Sequence, residues 1–222
     1  MEKVDEKIFI RIAEALERLS PPRETFGNLN ESNSYLWKAF PDRLIPTNKN
    51  SQITMDLLVG IDEIKKQVLR NTVQFAKGFS ANNTLLWGAR GTGKSSLVKS
   101  VHKMVNDDFP SLKLVEIQKD DLNSLDRLLA LLSNLEINHR YIIFCDDLSF
   151  SEENDEYKTL KILLEGGVLE KPENILFYST SNRKHLIARQ MIENEQSTEI
   201  SPSEAIEEKV SLSDRVWLVL GI

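Results

Sequence analysis

An eight-residue segment of the sequence has the residue types and spacing of a phosphate-binding loop. It fits the pattern G-x-x-x-x-G-K-[ST] without a mismatch and consists of Gly88, Ala89, Arg90, Gly91, Thr92, Gly93, Lys94 and Ser95. Glycines let the backbone approach a phosphate closely, and the loop N–H groups offer partial positive charge. Lys94 can reach the β- and γ-phosphates, and the Ser95 hydroxyl can coordinate Mg²⁺. We include the next residue, Ser96, in the candidate binding set.

The residues around this segment favour a binding loop over the alternative, a glycine-rich turn with a surface lysine. An apolar run, residues 84–87, precedes it, and a helical pattern begins at Ser95. Strand, loop and helix in this order are what the motif requires. The segment therefore predicts a site for a nucleoside triphosphate and its magnesium ion.

Two adjacent acids follow another apolar run. Residues 141–145 have the pattern of a buried strand, and Asp146 and Asp147 come directly after it. A strand-end carboxylate is suited to holding Mg²⁺, which predicts a metal role for Asp146 beside Ser95. Asp147 can orient or deprotonate an attacking water, and its alternative is a cap of the following helix. Because adjacent side chains on a strand point to opposite sides, we expect different roles for the two acids.

The run from residue 174 to residue 183 is a further strand candidate that ends in polar residues. If it lies beside the other two strand ends, the Asn182 side chain can hydrogen-bond the γ-phosphate or the attacking water. The alternative is a turn-forming asparagine with no part in the site.

From residue 56 onward, β-rich and helical runs alternate, as is typical of a parallel sheet covered by helices. The strand candidates are Thr84–Trp87, Leu112–Ile117, Tyr141–Cys145, Ile175–Ser179 and Val216–Leu220. The helix candidates lie near Ile61–Lys77, Lys94–Val105, Leu122–Leu135, Tyr157–Leu164 and Ser203–Val210. This pattern predicts an α/β three-layer sandwich with a five-stranded parallel sheet in residues 51–222. We expect residues 1–50, with an amphipathic pattern over 5–19, to form a helical appendage and linker.

The composition excludes several classes of protein. With 222 residues, of which 41% are hydrophobic and 28% charged, the chain is typical of a globular protein. No apolar run approaches the roughly 18 residues of a membrane span, and the N-terminus lacks the basic region of a signal peptide, so we expect a cytoplasmic location. The single cysteine, Cys145, excludes an internal disulfide framework. The net charge of −6 argues against a broad nucleic-acid-binding face.

Together these segments resemble the AAA-type (AAA+) P-loop ATPases, and most closely one uncharacterised bacterial ATP-binding family filed as a domain of unknown function. The resemblance covers about residues 55–222. It rests on five segments in the expected order: LLWGARGTGKSSLVK (85–99), FCDDLSF (144–150), LEGG (164–167), YSTSNRKHL (178–186) and EEKVSLSDR (207–215). Several separated motifs in one order make the resemblance specific.

The resemblance implies further site residues. Val59, Gly60 and Ile61 correspond to an element that contacts the adenine, and their alternative is a group of core residues that opens a helix. Asn182 matches the sensor-1 position. Arg215 resembles the arginine finger that such proteins insert into the nucleotide site of a neighbouring subunit, which implies a homo-oligomer. The alternative for Arg215 is a salt bridge to an acid of its own chain.

The same resemblance leads to the predicted function. AAA-type proteins continue into a small helical lid, whereas this sequence stops at Ile222, so we expect the fold to lack that lid. Either this sequence is a truncated form or the protein works without the lid. We predict an ATP·Mg-binding ATPase that works in an oligomer to remodel an unknown partner. One open alternative is a non-hydrolysing ATP-dependent switch or scaffold, favoured because related enzymes more often have Glu where this chain has Asp147. Another is a small-molecule P-loop kinase, although residues 150–205 contain no arginine-rich lid segment.

Overall fold

A computed structural model of the protein describes residues 8–12, 29, 31–47, 54–135, 139–148, 172–182 and 217–222. The chain divides into two units, Met1–Glu31 and Ser32–Ile222. In the first unit, residues 8–12 are helical and lie within the predicted amphipathic helix. All of the strands and helices discussed below belong to the second unit.

The second unit is built on a mostly parallel sheet, with seven strands in the described part of the chain. These are β1 (Ser34–Ala39), β2 (Asp42–Pro46), β3 (Asn83–Trp87), β4 (Leu112–Ile117), β5 (Arg140–Cys145), β6 (Ile175–Ser181) and β7 (Trp217–Gly221). Their order across the sheet is β2-β1-β4-β5-β6-β3-β7. Only the pair β1 and β2 is antiparallel among these strands. This order places β6 between β3 and β5.

Within the described residues the sheet has seven strands rather than the predicted five. The five predicted strands correspond to β3–β7, and the additional hairpin, β1 and β2, comes from the region expected to be an appendage and linker. Alternate residues of β1, including Tyr35 and Trp37, are buried, and the Trp37 indole donates a hydrogen bond to Ser124 Oγ at 2.7 Å. Burial with a period of two is that of a sheet strand, which explains why this aromatic segment joins the main unit.

Three of the predicted helices are present. They are α1 (Asp62–Ala76), α2 (Lys94–Asp108) and α3 (Leu125–Asn134), and short 3-10 segments occupy Met55–Leu57 and Lys119–Ser124. The predicted helices Tyr157–Leu164 and Ser203–Val210 lie outside the described residues. None of the helices in the described ranges is both long and apolar enough to cross a membrane.

Both faces of the central strands are buried. On one face, side chains of α1, α2 and five strands, β3–β7, form one apolar cluster. Its members include Val68, Phe75, Leu86, Leu97, Val101, Leu114, Ile142, Phe144, Leu176 and Tyr178. The intervening strand residues, such as Leu85, Ile143 and Phe177, are also buried. Burial on both faces is the arrangement that an α/β sheet requires, and it leaves the carboxyl ends of the strands as the place for a site.

Candidate functional site

The phosphate-binding motif lies between the end of β3 and the start of α2. β3 ends at Trp87, and Lys94 is the first residue of α2. Gly93 has a φ of +91° and occupies the N-cap position, a left-handed conformation that favours glycine. No side chain in the described ranges caps this helix end. Its first N–H groups are therefore available to an anion, as in other phosphate sites at helix N-termini.

The start of the loop is fixed between β6 and β7. The Gly88 N–H donates to the Ser181 carbonyl at 3.2 Å, and the Ile222 N–H donates to the Trp87 carbonyl at 2.7 Å. A Cβ atom at residue 88 would lie 1.9 Å from the Ile222 carbonyl oxygen. The close approach of two backbones therefore requires a glycine at this position.

Lys94 directs its ammonium group back over the loop. The side chain is buried, and Nζ donates to the carbonyl oxygens of Gly88 at 2.9 Å and Ala89 at 2.7 Å. The Thr92 hydroxyl donates to the same Ala89 carbonyl at 3.0 Å. An ammonium group has three N–H donors, so these two contacts leave one donor for a phosphate oxygen.

The Ser95 hydroxyl donates a hydrogen bond to Asp146 Oδ1 at 2.5 Å. Ser95 is the second residue of α2 and Asp146 follows β5, so this contact joins the loop to a different strand end. Because the hydroxyl proton points to the carboxylate, the oxygen lone pairs can face a cation. Mg²⁺ prefers oxygen ligands and is usually held by one or two carboxylates together with water and substrate phosphates. The donor set of Ser95 and Asp146 therefore fits a magnesium ion.

Strand β6 brings Asn182 into the same site. The last residue of β3, Trp87, pairs with Ser181, and the last residue of β5, Cys145, pairs with Ser179, so β5 ends two residues before the level at which β3 and β6 end. The acids that follow Cys145 therefore lie beside the end of β6. Asn182 Nδ2 donates to Asp147 Oδ1 at 2.6 Å. Asn182 thus meets the condition set for it from the sequence, since its strand lies beside the other two strand ends.

Sequence reasoning assigned no role to Thr180, which contacts both acids. Its hydroxyl accepts the Asp147 N–H at 2.8 Å and donates to Asp146 Oδ1 at 2.6 Å. Threonine is common in strands because of its β-propensity, so its residue type alone does not indicate a functional role. The available signal was its position, two residues before the candidate Asn182 in a run expected to end beside the acids.

The two acids lie in a turn after the strand, where we expected strand alternation to separate them. β5 ends at Cys145, and Asp147 has a φ of +54°, which is unusual for a residue other than glycine. Alternation along a strand therefore does not apply to this pair. Asp146 contacts Thr180 near the end of β6, and Asp147 contacts Asn182, the residue after it, so this strand end and the bend that follows hold both acids.

The segment expected to contact the adenine lies beside the phosphate loop. A Cβ atom on Gly93 would be 2.9 Å from Leu58 Cδ2. The next residue, Val59, is 87% exposed, whereas Ile61 packs against the apolar cluster and precedes α1. Gly60 has a φ of +85° and is exposed. The segment therefore presents one exposed apolar side chain next to the loop.

The other predicted site residues fall into two groups. Ala89, Arg90 and Gly91 are exposed at the tip of the loop, and Ser96 is half-buried in the first turn of α2. Arg215 lies outside the described residues.

Residues 30–222 match the model of a protein family described as a protein of unknown function, DUF815. The chain belongs to the DUF815 family. This match confirms the resemblance to a family of unknown function that the sequence motifs indicated. The DUF815 match also contains β1 and β2, in agreement with their place in the sheet.

The DUF815 chain is similar to parts of longer proteins of solved structure. One is the RuvB Holliday junction branch migration motor of Thermotoga maritima, with 17% identity, a TM-score of 0.40 and coverage of 62% of this chain and 44% of RuvB. Another is the Orc1 protein of Aeropyrum pernix, solved in complex with DNA, with 16% identity, a TM-score of 0.46 and coverage of 55% and 39%. The chain thus spans less than half the length of these proteins. No curated protein matches its sequence.

Proposed function

We propose that this DUF815 protein is an AAA-type P-loop ATPase, which binds ATP with Mg²⁺ and hydrolyses it to ADP and phosphate. The proposal rests most directly on the 2.5 Å contact between Ser95 Oγ and Asp146 Oδ1. This contact brings the phosphate loop and a strand-end acid within reach of one bound cation. A glycine-rich turn without a ligand would have no need for such a contact.

The loop and its lysine hold the phosphates in this proposal. The backbone N–H groups around Gly91 and Gly93 face the phosphate oxygens, and the remaining Lys94 donor binds the β- and γ-phosphates. Ser95 and Asp146 would hold the magnesium ion, which when bound would supply positive charge to offset the negative charge that develops on the phosphates.

Asp147 and Asn182 direct the attacking water. One Asp147 oxygen is occupied by the Asn182 amide at 2.6 Å, which leaves the other oxygen to accept a proton from water. Asp147 is exposed, so water can reach it. The water oxygen attacks the γ-phosphorus, the bond to the β-phosphate oxygen breaks, and ADP leaves.

The adenine is proposed to lie against Val59, Gly60 and Ile61. Val59 is exposed next to the phosphate loop, and an apolar side chain there can pack on the face of a planar base. Gly60 allows the backbone to approach the base edge.

We further propose that the protein acts as a homo-oligomer to remodel a partner that is still to be identified. In this assembly Arg215 completes the site of a neighbouring subunit. An arginine finger can supply roughly 10³- to 10⁵-fold in turnover, so a dilute monomer would bind ATP and hydrolyse it slowly.

Binding of a fluorescent ATP analogue and phosphate release test this proposal. Lys94→Ala should abolish binding, whereas Lys103→Ala, a matched change at an exposed position of α2, should not. Asp147→Asn should preserve binding and remove turnover. Absence of ATP binding by the parent protein, or unchanged binding by Lys94→Ala, would overturn the assignment of the loop.

The oligomer has a separate test. Light-scattering mass should rise when ATP and Mg²⁺ are added, and turnover per subunit should increase with protein concentration. Arg215→Ala should keep ATP binding but lose that increase. A protein that stays monomeric with a constant turnover per subunit would contradict the role of Arg215.

A non-hydrolysing ATP-dependent switch is the second candidate. It is favoured by the acid at position 147, which is one methylene shorter than glutamate and is held by Asn182 rather than free to extend. Single-turnover phosphate release at high protein concentration separates the two functions. Release of one phosphate per site supports the ATPase, and retention of intact ATP supports the switch.

A further inference from the structure

Thr180 is a buried threonine between the two halves of the site. It is 1% exposed and lies one residue before the end of β6, the strand that separates the loop strand β3 from the acid strand β5. Its carbonyl also accepts the Leu148 N–H at 2.7 Å. Both its main chain and its side chain are therefore attached to the turn that carries the acids.

The direction of each Thr180 hydrogen bond follows from its partners. The Asp147 backbone N–H can only donate, so the Thr180 oxygen accepts from it at 2.8 Å. The hydroxyl has a single proton, which is then left to donate to Asp146 Oδ1 at 2.6 Å. A single hydroxyl thus connects the carboxylate of one acid to the main chain of the next.

These contacts act on two different properties of the acids. Asp146 Oδ1 accepts one hydrogen bond from the Thr180 hydroxyl on the β6 side and one from the Ser95 hydroxyl on the loop side. Two donors therefore orient its carboxylate. Asp147 sits at a φ of +54°, a conformation that surrounding contacts must hold in place. The bonds from the N–H groups of Asp147 and Leu148 to Thr180 hold this turn.

We propose that Thr180 is the positioning residue that sets the metal-binding carboxylate of Asp146 and the water-directing carboxylate of Asp147 in one fixed geometry. This inference rests on the proposed function and goes beyond it by assigning the coupling of the two acids to a third side chain. Thr180 does not touch the nucleotide. Its effect is transmitted through the acids.

The test is the Mg²⁺ dependence of nucleotide binding. In Thr180→Val the shape is kept and the hydroxyl is lost, so Asp146 loses a donor and the Asp147 N–H loses its acceptor. We expect affinity for a fluorescent ATP analogue in EDTA to stay within about twofold of the parent, because the loop is unchanged. The gain in affinity on adding Mg²⁺ should fall on the order of tenfold, and the Mg²⁺ concentration for half-maximal binding should rise, since charge-assisted hydrogen bonds are among the strong ones.

Two matched variants isolate the hydroxyl. Thr180→Ser keeps it and should retain the Mg²⁺-dependent gain within about threefold. Thr84→Val makes the same change at a buried position of β3, where the hydroxyl accepts Asn71 Nδ2 at 3.3 Å, and should leave that gain unchanged. If Thr180→Val does not fold, Thr180→Ala against Thr180→Ser gives the same comparison, because these differ only by the hydroxyl.

The outcomes separate this inference from the proposed function. A parent protein that binds the analogue with Mg²⁺, together with a Thr180→Val variant that keeps the full Mg²⁺-dependent gain, overturns the role of Thr180 and leaves the ATP site standing. A parent that does not bind the analogue at all overturns the proposed function and this inference with it. In a hydrolysing parent, a fall in kcat at saturating ATP and Mg²⁺ for Thr180→Val, in addition to the rise in KM that weaker Mg²⁺-dependent binding gives, supports the positioning role.

Discussion

Ser95 and Asp146, 51 residues apart in the sequence, come within 2.5 Å through a hydrogen bond from the Ser95 hydroxyl to the Asp146 carboxylate. The sheet order produces this contact, because β6 lies between β3 and β5 and pairs with both strands near their carboxyl ends. The positive end of α2 and the negative Asp146 carboxylate therefore meet at one point. A triphosphate placed there would be attracted by the helix and repelled by the acid unless a cation lies between them.

This arrangement predicts that Asp146→Asn lowers nucleotide affinity only when Mg²⁺ is present. The amide oxygen can still accept from Ser95, so the fold should be retained, but the negative charge is lost. In EDTA, affinity for ATP should stay equal or rise, since a like charge beside the phosphates is removed. With Mg²⁺, affinity should fall on the order of tenfold because one anionic metal ligand is lost. Isothermal titration under both conditions measures this, and a fall of equal size in both would contradict the metal role of Asp146.

Asn182 is predicted to act on turnover rather than on binding. In Asn182→Ala the Asp147 carboxylate loses the donor that holds it at 2.6 Å, so kcat for ATP hydrolysis should fall about ten- to a hundredfold while ATP affinity stays unchanged. Asn182→Asp has nearly the same shape but places a second carboxylate against Asp147, so its kcat should be at least as low. Steady-state kinetics and analogue binding measure the two parameters separately. Parental kcat in both variants would remove Asn182 from the site.

Much of the fold could be predicted from the sequence because the signals are local. Apolar runs bounded by polar residues mark the strands β3–β7, and helical periodicity marks α1, α2 and α3. The phosphate loop was predictable for the same reason, since its glycines, lysine and serine are contiguous. The ends of these elements differ from the predictions by a few residues, because capping and tertiary contacts determine where each one stops.

The features that could not be predicted from the sequence depend on which strands become neighbours in the sheet. The hairpin of β1 and β2 is short, and Trp37 of β1 acquires a role only when its indole reaches Ser124. Thr180 is an ordinary β-forming residue until the sheet order places it between two acids. The turn after Cys145 was not predicted because strand alternation holds only as far as Cys145 and does not describe the two acids that follow. The positive φ of Asp147 cannot be predicted from its residue type.

Gly88 is predicted to be essential for stability, whereas Gly91 is not. In Gly88→Ala the new Cβ would meet the Ile222 carbonyl oxygen at 1.9 Å, so the backbones of the loop and β7 must separate. The expected loss in the free energy of unfolding is about 3 kcal/mol, from backbone strain and overpacking together. Gly91 also has a positive φ, of +85°, but a Cβ there meets nothing within 4 Å, so Gly91→Ala should cost only about 1 kcal/mol. Urea denaturation measures both, and equal losses would contradict the close approach at residue 88.

His102 is predicted to make the protein less stable in mild acid. The imidazole is 3% exposed, and its Nε2 lies 3.3 Å from the Leu112 carbonyl oxygen. Burial, with a smaller contribution from the charge of Lys113, lowers the pKa of His102 from 6.5 to about 4. Between about pH 4 and pH 6.5 the His102 side chain is therefore protonated in the unfolded chain but not in the folded one. The free energy of unfolding falls as the pH drops through this window. At pH values above this window the imidazole is neutral in both the folded and the unfolded chain, so His102 does not lower the stability there.

The size of this effect follows from the two pKa values. Between pH 7.5 and pH 5, His102 should lower the free energy of unfolding by about 2 kcal/mol, since each pKa unit corresponds to about 1.4 kcal/mol. His102→Gln keeps a side-chain N–H donor for the Leu112 carbonyl but cannot titrate. Urea denaturation of both proteins at the two pH values should therefore show that the variant loses about 2 kcal/mol less unfolding free energy than the parent. An equal loss of unfolding free energy in the two proteins would contradict this prediction. It would mean that His102 is protonated as easily in the folded chain as in the unfolded chain, and that the acid sensitivity comes from other groups.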